Sequence, residues 1–115
     1  MAQQIRQGAI FWFDCRPLRR PVVVVSPTGS IERLPQVVVV ACKSTALPSD
    51  ETAIELPSRE RTPQTKTGLV RRTWAIPDWI LLVERDALTD YIGYLSGATL
   101  RKVVEAVEKR RKRGE

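Results

Sequence analysis

The chain of 115 residues contains no histidine, only two cysteines and one methionine. Histidine is the commonest general base and metal ligand at neutral pH. Its absence excludes the two-histidine chemistry of classical ribonucleases. A zinc site would have to be built from two cysteines and carboxylates, an unfavourable ligand set. We therefore expect no metal and no cofactor.

Long apolar segments are missing as well. No segment approaches the roughly 20 apolar residues that a membrane-spanning helix needs, and residues 1–4 lack the basic and apolar regions of a secretory signal. We expect a cytoplasmic protein with no membrane partner. In that compartment Cys15 and Cys42 are expected to be reduced, buried thiols rather than a disulfide.

The positive charge is unevenly distributed. Of 19 basic and 13 acidic residues, five basic and one acidic lie in residues 109–115, so the remainder carries 14 basic and 12 acidic side chains, a net charge of +2. A basic C-terminal run is typical of a solvated helix end, where it complements the helix dipole. A contact with nucleic acid or an acidic partner is the alternative.

Two runs of four valines, residues 22–25 and 37–40, are the strongest structural signal. Valine branches at Cβ and favours strands. A short unbroken apolar run is typical of a strand buried on both faces. Arg20 and Pro21 precede the first run, and Lys43, Ser44 and Thr45 follow the second. If the two strands are neighbours, these polar groups share one rim of the sheet.

The remaining pattern predicts a strand-rich domain that spans residues 1–115. Pro77 and Asp78 are expected to separate two strands, and residues 27–30 to form a turn. Residues 57–66 are expected to form a polar, mobile surface loop, and residues 85–88 one helical turn. The predicted extended segments are residues 9–14, 21–26, 36–42, 52–56, 68–76, 79–83 and 91–95.

A C-terminal amphipathic helix follows Ser96, a good N-cap residue. Apolar side chains then recur at i, i+3, i+4 and i+7, which places them on one stripe. These are Leu100, Val103, Val104 and Val107. The stripe must pack on the sheet or on a second subunit.

The order of these features resembles the MazF/PemK toxins, the ribonuclease halves of bacterial type II toxin–antitoxin modules. The resemblance covers residues 7–107. The motifs that carry it are Arg20-Pro21 before the valine run, the Ser/Thr cluster after the second run, Gly68-Leu69-Val70, Trp74-Ala75-Ile76 and Ile92-Gly93-Tyr94-Leu95.

The resemblance implies a mainly β fold, a small SH3-like β-barrel with a C-terminal α-helix. It also implies a bacterial homodimer and a small antitoxin whose acidic segment covers the RNA groove. The implied activity is metal-independent, sequence-specific cleavage of single-stranded mRNA. In that reaction the ribose 2′-hydroxyl attacks the adjacent phosphorus and leaves a cyclic phosphate.

The family's catalytic arginine stands directly before the proline that opens the second strand, which is Arg20 here. Its rigid fork of donors suits the oxygens of a pentavalent phosphorane. The family's catalytic threonine falls on Lys43 in direct register, and a slip of one or two residues gives Ser44 or Thr45. All four are candidate catalytic residues.

Further residues are expected near RNA. Arg16 and Arg19 lie in the first loop, which in the family covers the RNA site and is shorter here. Arg71 and Thr73 follow the Gly-Leu-Val segment, where some relatives carry polar site residues. These four are the candidate RNA-binding residues.

Other side chains have weaker claims to function. Asp14, and behind it Asp78, are the nearest carboxylates that qualify as a general base. The three tryptophans lie inside apolar runs, so core or dimer-interface positions are expected for them rather than base stacking. They are Trp12, Trp74 and Trp79.

Two alternatives to a toxin ribonuclease stay open. A barrel of the same fold that binds nucleic acid or protein without cutting is favoured by Lys43 and by the short first loop. A structural or assembly subunit that uses a dimeric β-surface is the other.

Overall fold

The computed structural model describes residues 5–14, 19–44 and 53–113, with the backbone alone for residues 112 and 113. Within these residues six strands form one antiparallel sheet in the order β4-β5-β3-β2-β1-β6, curled into a half-barrel. The expected barrel fold is thereby confirmed. The strands are β1 Ala9–Asp14, β2 Arg19–Val24, β3 Gln36–Lys43, β4 Ile54–Leu56, β5 Thr73–Glu84 and β6 Asp90–Tyr94.

The two valine runs lie on adjacent central strands. Val23 pairs with Val40 and Val24 pairs with Val39, and all four side chains are fully buried. Val23 and Val40 belong to the apolar cluster on one face of the sheet, and Val24 and Val39 to the cluster on the other. The prediction of two neighbouring strands buried on both faces is confirmed.

The C-terminal helix α2 spans Gly97–Arg113 and begins one residue after Ser96. Val103 and Val107 are buried against the same face of the sheet as Val23, and Leu100 and Val104 pack half-buried beside them. The predicted stripe therefore packs on the sheet. No helix in the described part of the chain is both long enough and apolar enough to cross a membrane.

The prediction that Pro77 and Asp78 separate two strands is wrong. Strand β5 runs continuously from Thr73 to Glu84, although its pairing with β3 shifts there. Cys42 pairs with Ala75 and Val40 with Ile80, so residues 76–79 of β5 lie opposite a single residue of β3. Proline has no N–H to donate to the ladder, and a bulge accommodates it without ending the strand.

Other expectations are corrected locally. Residues 28–31 form the one-turn helix α1, Thr28–Ile31, where a turn was expected. Residues 68–72 are irregular, and the strand begins only at Thr73. The helical turn after β5 is confirmed as a 3₁₀ turn, Arg85–Ala87. Strand β4 starts at Ile54, and the predicted start at residue 52 lies outside the described residues, as does Cys15.

The polar segment of residues 57–66 is largely exposed, as expected for a surface loop. Its backbone is tied to the following segment, because the N–H of Arg59 donates to the carbonyl of Leu69 at 2.8 Å and that of Glu60 to Val70 at 3.1 Å. These bonds hold the loop beside the residues that lead into β5.

Candidate active site

The start of β2 and the end of β3 form one rim of the sheet. Because Val22 pairs with Ala41 in an antiparallel ladder, the same register two residues further brings Arg20 opposite Lys43. Lys43 in turn pairs with Trp74 of β5, and Arg20 pairs with Phe13 of β1. Four strands thus converge where the two cationic side chains stand.

A cavity of about 450 Å³ opens at this rim. It brings together six of the eight predicted site residues: Arg19, Arg20, Lys43, Ser44, Arg71 and Thr73. The other two, Arg16 and Thr45, lie outside the described residues. The remaining lining residues are Trp12, Pro21, Cys42, Gly68, Leu69 and Val70.

Trp79 was expected in the core or at a dimer interface, yet its side chain is 38% exposed and contacts both cations of the rim. The guanidinium carbon of Arg20 lies 5.1 Å from the centroid of the Trp79 ring, and Lys43 Nζ lies 5.8 Å from it. Both distances are within the range of a cation–π interaction. The bulge in β5 ends at Trp79 and so places the indole at this rim.

The other tryptophans are not core residues either. Trp12 is 43% exposed and lines the cavity. Trp74 is half-buried, and the guanidinium carbon of Arg72 lies 5.0 Å from its ring centroid. All three indoles therefore lie at least partly on the surface of the chain. A core position is therefore wrong for Trp12 and Trp79, because in a strand alternate residues face opposite sides. A position at a dimer interface stays a prediction.

The irregular segment of residues 68–72 forms one wall of the cavity. Gly68 has φ of 72°, a left-handed conformation that favours glycine, and a Cβ there would clash with the carbonyl oxygen of Ile92. Leu69 is buried below it, while Val70 and Arg71 are exposed. This tight approach fixes the wall against β6.

Thr73 lies at the start of β5 and supports Arg71. Its side chain is only 4% exposed, and its Oγ1 donates to the carbonyl of Arg71 at 3.0 Å. The hydroxyl therefore positions the backbone of Arg71 at the cavity wall.

Arg19 forms an ion pair with Asp90 of β6, and both side chains are more than half exposed. This pair joins the first residue of β2 to the first residue of β6 across β1. It reduces the net positive charge on that side of the cavity.

The two carboxylates expected as candidate bases lie elsewhere. Asp78 accepts a hydrogen bond from Arg110 of α2 at 2.5 Å. Asp14 lines a different cavity, together with Phe13 and Leu81. Among the described residues, the lining of the Arg20 cavity includes no carboxylate.

A second cavity, of about 590 Å³, adjoins the first and shares Ser44, Val70 and Arg71 with it. Arg72 on its wall donates two hydrogen bonds to Glu55 of β4, at 2.8 and 3.1 Å. This contact lowers the pKa of Glu55 below its ordinary value of 4.5 and raises the pKa of Arg72. Sequence reasoning missed this pair, because no local pattern joins positions 55 and 72.

Within the described ranges no three or more cysteine, aspartate or glutamate side chains are grouped so that they could hold a metal ion. Cys42 is buried, as expected.

Comparison with known proteins places this geometry in context. A family model described as PemK-like, MazF-like toxins of type II toxin–antitoxin systems matches residues 6–110. A comparison with curated protein sequences gave no match.

Solved structures with this fold include three toxins. A mycobacterial endoribonuclease in complex with its cognate antitoxin is 20% identical, with a TM-score of 0.74 over 94% of this chain and 95% of that one. A MazE–MazF complex from Deinococcus radiodurans is 14% identical, with a TM-score of 0.72 over 95% and 96%. A MazF toxin of Mycobacterium tuberculosis is 17% identical, with a TM-score of 0.69 over 92% and 97%.

Proposed function

The chain belongs to the PemK-like, MazF-like toxins of type II toxin–antitoxin systems, and from this premise we propose that it is an endoribonuclease. Its substrate is single-stranded mRNA, cut sequence-specifically. The observation that carries the proposal is the cavity in which Arg20, Lys43 and Ser44 face one volume. Residues 1–115 act as one toxin domain.

The proposed reaction needs no metal or cofactor. The ribose 2′-oxygen attacks the adjacent phosphorus, the bond from phosphorus to the 5′-oxygen breaks, and a 2′,3′-cyclic phosphate and a free 5′-hydroxyl remain. Negative charge accumulates on the phosphorane oxygens. The two donors of the Arg20 fork stabilise it, since charge-assisted bidentate hydrogen bonds are strong. The Ser44 hydroxyl adds a neutral donor, a role that Thr45 shares.

Proton transfer falls to the groups at the rim. The ammonium of Lys43 gives a proton to the leaving 5′-oxygen, and the attacking 2′-hydroxyl gives its proton to water. Lys43 is suited to donate this proton because its ammonium lies over the ring of Trp79, as the guanidinium of Arg20 does, and its strand pairs with β5. Arg20 remains charged throughout, since a guanidinium does not deprotonate in proteins.

The basic rim supports the proposed partners. Arg19, Arg20, Lys43 and Arg71 line one cavity, which suits a phosphodiester backbone. We propose that RNA and the acidic segment of a cognate antitoxin compete for this surface. Arg16 is proposed to bind RNA as well. The toxin acts as a homodimer in the bacterial cytoplasm.

A second candidate function is a barrel that binds nucleic acid or protein without cutting it. Lys43 favours this alternative, because it stands where direct register places the catalytic threonine of the family. An ammonium binds phosphate as a point charge without the hydroxyl of threonine. Binding of RNA without any cleavage would select this alternative.

Arg20→Ala tests the proposal against Arg6→Ala as the matched control. Both arginines lie over an aromatic ring, at 5.1 Å for Arg20 and 5.0 Å for Arg6, but Arg6 lies over Tyr94 and lines neither cavity described above. Removal of one such transition-state donor typically costs about 10²–10³ in kcat.

The expected result is a loss of that size in Arg20→Ala, with an unchanged circular dichroism spectrum, and nearly full activity in Arg6→Ala. Equal cleavage of a long single-stranded RNA by both variants would contradict the role of Arg20.

A further inference from the structure

Among the described residues that line the two cavities, Glu60 alone carries a carboxylate, and it lies in the wall of the second cavity. We propose that this cavity holds a nucleobase beside the cleaved bond, and that Glu60 selects a base with an exocyclic amino group over uracil. The inference rests on the RNA cleavage proposed above and specifies which bases that site accepts.

The two cavities are continuous. Ser44, Val70 and Arg71 line both of them. A phosphodiester held by Arg20 and Lys43 in the first cavity therefore places a neighbouring nucleotide at the mouth of the second. The volume of the second cavity, about 590 Å³, lies within the ordinary range of a small-molecule pocket.

The three arginines of the second cavity divide into two groups. Arg72 is engaged by Glu55 and lies over Trp74, so it forms part of the wall. Arg59 and Arg71 are exposed, and neither side chain is hydrogen-bonded to another residue in the described parts of the chain. Two cations are thus left for the sugar–phosphate backbone, and these carry no base preference.

Glu60 is held in place by its own backbone and by one carboxylate oxygen. Its N–H donates to the carbonyl of Val70 at 3.1 Å, and its Oε2 accepts from the N–H of Arg72 at 3.0 Å. The second oxygen, Oε1, accepts no hydrogen bond from any described residue. Glu60 is exposed and lines the second cavity, so Oε1 is available there as a hydrogen-bond acceptor for a ligand.

An acceptor of this kind distinguishes bases by their donors. Single-stranded RNA exposes the Watson–Crick edges of its bases. Cytosine, adenine and guanine each offer an exocyclic amino N–H, and a carboxylate accepting from cytosine N4 is an established pairing. Uracil offers only N3–H, which lies between two carbonyl oxygens that repel a carboxylate.

The test is the cleavage of a randomised single-stranded RNA library, with the fragment ends sequenced. Wild-type protein is expected to disfavour uracil at one position within three nucleotides of the cut, by on the order of tenfold. In Glu60→Gln the amide oxygen still accepts from the N–H of Arg72, and the NH₂ group replaces Oε1. The acceptor becomes a donor, so the preference should reverse toward uracil, whose O4 accepts.

Two further variants serve as controls. Glu105→Gln removes the same charge from the exposed face of α2, far along the chain, and should leave the preference unchanged. Glu60→Asp shortens the side chain and should weaken the preference without reversing it. The melting temperature of each variant checks that the fold is retained.

The outcomes separate the two proposals. Cleavage by the wild type with the same base preference in Glu60→Gln would overturn the role of Glu60 and leave the ribonuclease proposal intact. A wild type that cuts no RNA in the library would overturn both.

Discussion

At the scale of single residues, Trp79 is the most important site residue that the sequence analysis did not assign to the site. Two side chains of like charge, Arg20 and Lys43, repel each other where they line one cavity. The negative face of the Trp79 ring attracts both of them. The indole therefore holds two cations in one arrangement before any phosphate arrives, which makes Trp79 a positioning residue.

Trp79→Leu should lower kcat for RNA cleavage by roughly tenfold, since a cation–π contact is worth about 0.5–2 kcal/mol. KM should change by less than about threefold, because misplaced cations still attract the phosphate backbone in the ground state while the transition state needs alignment. Steady-state kinetics on one defined oligonucleotide measures both quantities.

The matched control is Tyr94→Leu, which removes the ring below Arg6 and leaves both cavities unchanged. Trp79→Phe should restore most of the activity, since it restores a ring. A kcat of the wild-type value in Trp79→Leu, or an equal loss of kcat in Tyr94→Leu, would contradict the positioning role of Trp79.

The predicted site residues and Trp79, which was not predicted, differ in the sequence range over which their signal extends. Arg20 and Ser44 stand at the ends of two apolar runs, so local patterning places them on one rim once those strands pair. Trp79 reaches the rim through a bulge, whose size depends on how β5 pairs with β3. That pairing joins strands that are distant in the sequence, so no local pattern predicts it.

At the scale of elements, the short strand β4 is joined to β5 by three residue pairs and by the contact of Glu55 with Arg72. The same contact fixes Arg72 at the wall of the second cavity. Because the guanidinium lowers the pKa of Glu55, the folded state holds fewer protons than the unfolded state near that pKa. Stability from this contact is present above the ordinary carboxyl value of 4.5 and is lost as pH falls through the lowered value.

Glu55→Gln should therefore reduce the melting temperature at pH 7 and have a smaller effect at a pH well below 4.5, because the wild-type carboxylate takes up protons as the pH falls. Calorimetry or circular dichroism at both pH values measures the difference. Glu108→Gln, on the exposed face of α2, is the matched control. A destabilisation of equal size at both pH values would show that the charge of Glu55 contributes nothing.

The helices and strands that could be predicted are those with a regular apolar pattern in their own sequence. Strand β1 and helix α2 follow from apolar runs and a 3.6-residue period, and the structure confirms both. The segment of residues 68–72 was predicted as extended but is irregular, because its conformation is set by the approach of Gly68 to Ile92 and by the bonds of Arg59 and Glu60 to its carbonyls. Those contacts are tertiary.

At the scale of the whole molecule, several large apolar side chains remain on the surface of the chain. Leu82 is 63% exposed and Val70 is 67% exposed, and Trp12 is 43% exposed. Exposed apolar side chains mark an association surface where they form a contiguous patch, and these three are candidates for an interface between two subunits. We expect a homodimer.

Multi-angle light scattering at micromolar concentration should give twice the chain mass of 13.0 kDa. Dilution into the nanomolar range, followed by mass photometry or fluorescence anisotropy, measures the dissociation constant. A monomer at every concentration would contradict the homodimer and would confine the RNA site to one chain.

The central claim is that the Arg20 cavity directs a ribose 2′-hydroxyl onto the neighbouring phosphorus. The most direct measurement is mass spectrometry of the fragments from one oligoribonucleotide, cut in the presence of a chelator and compared with the same oligomer carrying a single 2′-deoxy substitution at the cut. The account predicts a 2′,3′-cyclic phosphate on the 5′ fragment, a 5′-hydroxyl on the other, and no cut in the substituted oligomer. A 5′-phosphate product, or cleavage of the substituted oligomer at the same bond, would contradict it.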